Sequence, residues 1–290
     1  MYPFYKPYIK IYKGKLFIKP TDIVGAKKSK VIIFDLDETI GSFNELFHLW
    51  KWILSKDYLL EDGEENQIYF NYLLDLYPEF LRYGILNILE YLYNKKQKGD
   101  CLKIYLYTNN QCSPYVSKWI SLIVQYIENK LQITGLFDQI ICSFKIDNCI
   151  IELKRTTQQK TYSDLIRCTL LPKTTEICFI DNSYYHKMLN DRVYYIQPKS
   201  YDHSLSNEEI IERFICSHLF IKGTTIELYE WFSTKLSNNR LKRDTINDDI
   251  IVSQKMMYHL KDFFLLTTKK QKTRRLSTIF GRFTRKRRNS

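Results

Sequence analysis

The chain has 290 residues, of which 44% are hydrophobic, and this is enough for one sizeable buried core. Aromatic residues make up 15%, while Gly and Pro number only 9 and 7, so disordered, collagen-like and low-complexity classes are excluded. The formal net charge is +12, but ten cations lie between residues 269 and 288 without an acidic residue, so the rest of the chain carries 12 − 10 = +2.

Short apolar segments predict the strands of a sheet. An alternating stretch at 8–19 with a Lys-Gly turn predicts a β-hairpin, within an N-terminal extension of residues 1–30. Continuous apolar runs typical of strands buried on both faces follow at 31–34, 104–107, 139–142, 177–180 and 193–196. Helical patterns separate these runs. We therefore expect an α/β fold with a Rossmann-like parallel sheet flanked by helices, in a domain of residues 31–205.

Further helices are predicted within this domain and after it. Residues 41–80 predict a helical cap insertion, which begins at Ser42 with the spacing of a capping box. Such an insertion lies above the carboxyl ends of the strands, where ligands bind. A second capping-box spacing at Ser206 begins a helical C-terminal extension over 206–268. The basic tail at 269–290 has no apolar periodicity, and we expect it to be disordered.

The cysteines and the hydropathy pattern indicate an intracellular protein. The seven cysteines form neither a CxxC pair nor a Cys/His cluster with zinc-site spacing. Cys142, Cys168 and Cys178 lie among apolar residues, and we expect them to be buried free thiols in a reducing compartment. No signal peptide and no apolar stretch of membrane-spanning length is visible. We therefore expect a cytoplasmic or nuclear location and no membrane partner.

Two carboxylates, Asp35 and Asp37, directly follow the first buried strand. Two negative charges at one strand end repel each other unless a divalent cation neutralises them, and hard oxygen ligands suit Mg²⁺. The first carboxylate can attack phosphorus and form an aspartyl-phosphate, and the second can act as an acid and then as a base. The alternative is that these residues form only a solvated turn and a helix cap.

Polar residues also follow two later strands. Thr108-Asn109-Asn110 could form a phosphate cradle with backbone amides, or only cap the next helix. Asp181-Asn182 could complete a metal site, or form a simple turn. A lysine before this last strand could neutralise phosphoryl charge. Lys160 and Lys154 are both candidates, although one lysine among many is usually a solvated surface residue.

In their order and location these features resemble the haloacid dehalogenase superfamily. The segment Asp35-Leu36-Asp37-Glu38-Thr39, with Asp-Asn at 181–182, is similar to one branch of it. That branch comprises the RNA polymerase II C-terminal-domain phosphatases and the NLI-interacting-factor-like small phosphatases. Leu81-Arg82-Tyr83-Gly84 is similar to the family's Arg-Pro-Gly-type helix entry. The resemblance covers roughly residues 30–200, and it departs from the family in the helical insertion, where these relatives have a small β insertion.

The resemblance implies a role for each site residue. Asp35 is implied as the nucleophile and Asp37 as the acid and base, and the implied catalytic set is Asp35, Asp37, Thr108 and Lys160. The implied substrate-binding residues are Thr39, Thr108, Asn109 and Lys160. The implied cofactor is Mg²⁺, held by Asp35, the Asp37 carbonyl and Asn182, with Asp181 close by.

We therefore expect a Mg²⁺-dependent phosphomonoesterase that acts through an aspartyl-phosphate intermediate. A protein phosphorylated on serine or threonine is the leading substrate. One alternative keeps the site and changes the substrate to a nucleotide or a nucleic-acid end phosphate. The other is an inactive scaffold that binds nucleic acid through the basic tail. The oligomeric state stays open.

Overall fold

The computed structural model describes residues 8–15, 17–18, 29–56, 65–110, 114–146, 148–235 and 246–268. The basic tail at 269–290 and most of the N-terminal extension therefore lie outside the described residues. Within the described ranges, no helix is long and apolar enough to cross a membrane.

A six-stranded sheet forms the centre of the fold. Its strands are β1 (Ile9–Lys13), β3 (Lys30–Phe34), β4 (Lys103–Tyr107), β5 (Gln139–Ile141), β8 (Glu176–Ile180) and β9 (Val193–Pro198). The spatial order is β1-β9-β8-β3-β4-β5, and every neighbouring pair is parallel except β1 with β9. The expected Rossmann-like parallel sheet is therefore confirmed, with one antiparallel strand added at its edge.

Among the described residues, four shorter strands lie outside this sheet. Strand β2 (Phe17–Ile18) pairs with β10 (Thr267–Thr268), and β6 (Lys145–Ile146) pairs with β7 (Cys149–Ile150). The hairpin predicted for 8–19 is thus wrong, because β1 pairs with β9 and β2 pairs with β10. The alternating pattern predicted extended backbone correctly, but an alternating strand does not specify which neighbour it pairs with. The β10 strand was also missed, since two residues provide no periodicity.

In the described part of the chain, eight helices flank the sheet. They are α1 (Asn44–Ser55), α2 (Glu65–Leu76), α3 (Ile85–Gln97), α4 (Pro114–Leu131), α5 (Tyr162–Thr169), α6 (Asn207–Ile215), α7 (Thr225–Lys235) and α8 (Ile246–Leu265). The predicted helical insertion is confirmed as α1 and α2, and the helical extension is confirmed as α6 to α8.

The two faces of the sheet are covered very unequally. Alternate residues of β3 point to opposite faces, so that Ile32 and Phe34 join one core cluster and Val31 and Ile33 join the other. The first cluster also contains the buried residues of α1 to α4 and α6 to α8, whereas the second contains those of α5. Both faces are nevertheless buried, which explains why the strands are continuous apolar runs.

The two predicted capping boxes had different outcomes. Ser206 caps α6 in a complete capping box, as predicted. Ser42 does not cap α1, because Phe43 occupies the cap position and, among the described residues, no side chain caps this turn. Glu45, the expected reciprocal partner, instead places a carboxylate oxygen 3.0 Å from Nε2 of the buried His203. The Glu45 carboxylate therefore contacts the buried imidazole of His203 instead of a backbone amide at the start of α1.

The predicted thiols are confirmed at two of three positions. Cys168 and Cys178 are buried free thiols. Cys142 is only half-buried and is disulfide-bonded, so the prediction for this residue is wrong. It follows β5, which is the last strand of the sheet and has a neighbouring strand on one side only.

Candidate active site

Three strands bring the predicted site residues to one edge of the sheet. Asp35 follows β3, Thr108 follows β4, and Asp181 follows β8, and all three strands end at this edge because they are parallel. The chain runs from β3 to β4 and β5 on one side, and later crosses to β8 and β9 on the other. Such a reversal of strand order opens a crevice at the carboxyl ends, where ligands bind in open α/β sheets.

A buried lysine joins two of these carboxylates. The Nζ atom of Lys160 donates to Asp35 Oδ1 at 2.5 Å and to Asp181 Oδ2 at 2.6 Å. Burial alone would lower the pKa of Lys160, but the charges of Asp35 and Asp181 outweigh it and raise the pKa. Lys154, the competing candidate, is exposed. Lys160 is therefore the lysine that the fold brings to the strand ends.

Both carboxylate oxygens of Asp181 accept hydrogen bonds. One oxygen accepts from Lys160, and the other accepts from the backbone amide of Ser183 at 2.8 Å. The side chain is fully buried, and burial raises the pKa of Asp181 although Lys160 acts in the opposite direction. Asp181 thus anchors Lys160 through one oxygen, and its place in the metal site stays a prediction.

Thr39 connects Asp35 to Asn182. Its hydroxyl donates to Asn182 Oδ1 at 2.9 Å and lies 3.4 Å from Asp35 Oδ2, while it accepts from the backbone amide of Asn182 at 3.0 Å. The Thr39 side chain is fully buried. In the structure this side chain holds Asn182 beside Asp35, and its substrate-binding role stays a prediction.

The backbone of the Asp35–Thr39 loop is held in an uncommon conformation. Glu38 has a φ of +57°, in the left-handed region. The buried guanidinium of Arg82 donates to the Glu38 carbonyl at 2.5 Å and to the Thr39 carbonyl at 2.6 Å. These two hydrogen bonds hold the loop in place. Arg82 therefore has a structural role that the motif similarity alone did not specify.

Asp37 lies on the cleft side of the same loop. It is half-buried, and its Oδ2 accepts from the side-chain amide of Asn110 at 3.1 Å. Burial and the neighbouring charge of Asp35 raise the pKa of Asp37 to about 6, against the stabilising hydrogen bond from Asn110. A carboxyl group with this pKa can both donate and accept a proton near neutral pH. Asn110 is predicted only as part of the phosphate cradle, so its side-chain contact with Asp37 is an addition from the structure.

The loop after β4 is fixed by a second buried arginine. The hydroxyl of Thr108 is fully buried and accepts from the backbone amide of Asn110 at 2.9 Å, so in this conformation it caps the turn. Arg155 donates to the carbonyl of Thr108 at 3.1 Å and to Asn109 Oδ1 at 2.8 Å. Asn109 also donates to the hydroxyl of Tyr185 at 3.1 Å. Sequence reasoning missed Arg155, because carbonyl partners leave no signature in the sequence.

A cleft of about 410 Å³ opens beside Asp37. One part of its lining is aromatic and comes from α1, its preceding residue and α4, namely Phe43, Phe47 and Trp119. The rest of its lining is polar or acidic and consists of Asp37, Glu38, Ser42, Asn44, Asn109 and Asn110. The start of the helical insertion therefore forms one wall of the cleft, whereas Trp50 and Trp52 are core residues and Tyr72 is exposed elsewhere on α2.

The site has the donor chemistry of a hard divalent cation. Three carboxyl groups, those of Asp35, Asp37 and Asp181, lie around the one cation of Lys160, and burial raises the pKa of both Asp37 and Asp181. The carboxylate of Asp35 and the amide oxygen of Asn182 both face the Thr39 hydroxyl, and such oxygen atoms suit Mg²⁺. In the described part of the chain, no three Asp, Glu, His or Cys side chains converge as a metal-holding group. The expected set differs from such a group, since it includes an amide and a backbone carbonyl.

Compared with protein-family models, curated proteins and solved structures, the chain has no match. The resemblance to the haloacid dehalogenase superfamily therefore stays a prediction that rests on the motifs. The geometry of the site is independent of that resemblance, because it follows from the strand order and from the contacts of Asp35, Lys160 and Asp37.

Proposed function

We propose that this protein is a Mg²⁺-dependent phosphomonoesterase that uses Asp35 as a covalent nucleophile. The observation that carries the proposal is the contact of Asp35 with the buried Lys160, next to a second carboxylate that lines a cleft. A buried cation 2.5 Å from Asp35 Oδ1 opposes the charge of an incoming phosphoryl group. A solvated turn, the alternative interpretation of Asp35, would need neither the burial nor the lysine.

Each step can be assigned to a residue of this chain. Asp35 forms a bond to phosphorus while the bond between phosphorus and the leaving oxygen breaks. Asp37 gives its proton to that oxygen, and then takes a proton from the water that hydrolyses the aspartyl-phosphate. Lys160 offsets the negative charge throughout.

Mg²⁺ would be held by Asp35, the backbone carbonyl of Asp37 and Asn182, and when bound it would neutralise charge on the carboxylates and the phosphoryl oxygens. The resemblance to protein phosphatases makes a phosphoserine or phosphothreonine protein the proposed substrate. The alternative substrate, a nucleotide or nucleic-acid end, is less favoured because no basic side chain is among the described residues that line the cleft.

The proposal is tested by turnover of an aryl phosphate in the presence of Mg²⁺. We expect Asp35→Asn to remove hydrolysis by several decades, because the amide cannot attack phosphorus. Asp191→Asn is the matched control, since it makes the same change at an exposed residue just before β9, at the opposite edge of the sheet. Excess chelator should stop turnover, and Mg²⁺ should restore it. Substantial activity in Asp35→Asn would refute the nucleophile assignment.

A further inference from the structure

The cleft beside Asp37 has an aromatic wall whose rings are mostly buried in the protein. Phe43 and Trp119 are each 2% exposed, and Phe47 is half-buried and packs against Trp119 with ring centroids 5.2 Å apart. The flat faces of these rings are therefore mostly covered by protein. A nucleobase needs an exposed ring face for stacking, whereas an aliphatic side chain needs only apolar contact.

The opposite side of the cleft carries negative charge. Glu38 lies next to Asp37 at the mouth, and its Oε2 accepts from the side-chain amide of Asn182 at 2.9 Å and from the hydroxyl of Ser200 at 3.1 Å. The two hydrogen bonds fix this exposed carboxylate in place instead of leaving it free in solvent. No lysine or arginine is among the described residues that line the cleft.

The cleft lies where the leaving group of a substrate would be placed. Lys160 is buried against Asp35 and is not among the residues that line the cleft, whereas Asp37 does line it. In the proposed reaction Asp35 attacks phosphorus and Asp37 gives its proton to the leaving oxygen. The leaving group must therefore point toward Asp37. The walls of the cleft are thus the surfaces that the leaving group contacts.

We infer that this cleft is the leaving-group site, and that it selects a phosphorylated peptide with apolar rather than acidic residues beside the phosphorylated side chain. The inference rests on the proposed function and adds a substrate class to it. Phe47 supplies apolar contact to a neighbouring side chain. Glu38 repels a neighbouring carboxylate or a second phosphate, so acidic peptides and nucleoside diphosphates are poor substrates.

The test compares kcat/KM for three phosphoserine peptides that differ only in the two residues flanking phosphoserine, which are Leu, Ser or Glu. For the natural protein we expect the Leu peptide to exceed the Ser peptide by about tenfold, as one apolar contact gives in an enzyme pocket. We expect the Glu peptide to fall below the Ser peptide by about fivefold, from partly screened repulsion at the cleft mouth. Adenosine diphosphate serves as the polyanionic probe and should be the poorest substrate.

Three variants assign these preferences to residues. Phe47→Ala should reduce the Leu-to-Ser ratio toward one, and Glu38→Gln should reduce the penalty against the Glu peptide. Only ratios within each variant are compared, so a general loss of activity does not affect the result. Tyr72→Ala is the matched aromatic control, because Tyr72 is 54% exposed on α2 outside the cleft, and both ratios should stay unchanged.

The outcomes separate this inference from the proposed function. Equal kcat/KM for all three peptides, with normal aryl phosphate hydrolysis, would overturn the inference and leave the phosphatase intact. A preference for adenosine diphosphate over every peptide would also overturn it, as would ratios that Phe47→Ala and Glu38→Gln leave unchanged. Failure to hydrolyse any phosphate ester would overturn both.

Discussion

The hydrogen bond between Asn110 and Asp37 defines the orientation of the proposed acid. The Asn110 amide lies 3.1 Å from Asp37 Oδ2, and its own backbone amide is held by the Thr108 hydroxyl at 2.9 Å. We expect Asn110→Ala to slow hydrolysis of an alkyl phosphate by about tenfold to a hundredfold, since a misplaced acid loses part of its contribution. An aryl phosphate should be affected much less, because its leaving oxygen hardly needs a proton.

A double-mutant cycle distinguishes this role from general damage to the site. In the Asp37→Asn background, Asn110→Ala should have no further effect on alkyl phosphate hydrolysis, because the group that it orients is already gone. Asn109→Ala is the comparison variant, since Asn109 contacts Arg155 and Tyr185 and its effect should persist in that background. Additive losses for Asn110→Ala would show that it does not act through Asp37.

The raised pKa of Asp37 predicts a pH dependence of stability. In the unfolded chain the carboxyl titrates near the ordinary value of 3.8, whereas burial and Asp35 raise the pKa to about 6 in the folded protein. The folded state therefore binds more protons between these values, and its stability falls as pH rises through that window. Mg²⁺ offsets the repulsion among ionised carboxylates, so it should raise the melting temperature more at pH 7.5 than at pH 5. An equal shift at both pH values would contradict this.

Several site residues could be predicted from the sequence because they directly follow a strand. Asp35, Thr108 and Asp181 were found in this way, since the end of a buried apolar run is visible in the chain. The choice between Lys154 and Lys160 could not be made, because the β6–β7 hairpin lies between β5 and α5 and determines how much chain remains to reach the site. Arg155, and the side-chain contact of Asn110 with Asp37, were missed because the partners lie far away in sequence.

At the scale of elements, strand pairing and helix starts depended on contacts beyond the local pattern. The parallel strands were predictable, because each is buried on both faces and is therefore a continuous apolar run. The partner of β1 was not, because its backbone edge can pair with any neighbouring strand. Ser42 had the same spacing as Ser206, but its expected partner Glu45 contacts the buried His203 instead.

A lysine at the start of β3 forms a buried ion pair with β8 and hydrogen bonds with the end of α8. Lys30 Nζ lies 2.6 Å from the fully buried Glu176, and it donates to the carbonyls of Phe263 and Leu266 at 2.8 and 2.6 Å. We expect Lys30→Met to lower the free energy of unfolding by about 3–5 kcal/mol, because it leaves Glu176 buried without this charge partner. Urea unfolding measures the change.

A matched surface pair provides the control for this prediction. Lys130 and Asp75 lie 2.7 Å apart, but both side chains are more than 40% exposed. Lys130→Met should cost about 1 kcal/mol or less, as is usual for solvated pairs. The double variant Lys30→Met, Glu176→Gln should recover part of the lost stability. A cost for Lys30→Met no larger than that for Lys130→Met would show that the buried ion pair contributes no more than a solvated one.

In the whole molecule, the proposed active site and the cluster of basic residues lie in different parts of the chain. The proposed site is built from residues 35–182, and the ten clustered cations lie at 269–290, outside the described residues. We expect removal of 269–290 to leave aryl phosphate hydrolysis unchanged. Any binding of the full chain to a DNA or RNA oligonucleotide should be lost on truncation, and before truncation it should weaken steeply with salt.

Point substitutions in the tail test its role in oligonucleotide binding without shortening the chain. Replacing the four residues Arg285, Lys286, Arg287 and Arg288 by Gln should reduce the salt dependence of oligonucleotide binding while kcat/KM stays constant. Loss of hydrolysis in either variant would mean that the tail contributes to the enzyme itself. Oligonucleotide binding that survives truncation would place the nucleic-acid surface elsewhere.

The central claim is that Asp35 becomes covalently phosphorylated during turnover. The direct measurement is to mix the Mg²⁺-loaded protein rapidly with an aryl phosphate, quench with acid, reduce acyl phosphates with borohydride, and map the modified residue by mass spectrometry. Reduction converts an aspartyl-phosphate to homoserine, and we predict this change at position 35 in the natural protein and its absence in Asp35→Asn. Turnover accompanied by modification at another residue, or by no modification under conditions that trap acyl phosphates, would contradict the account.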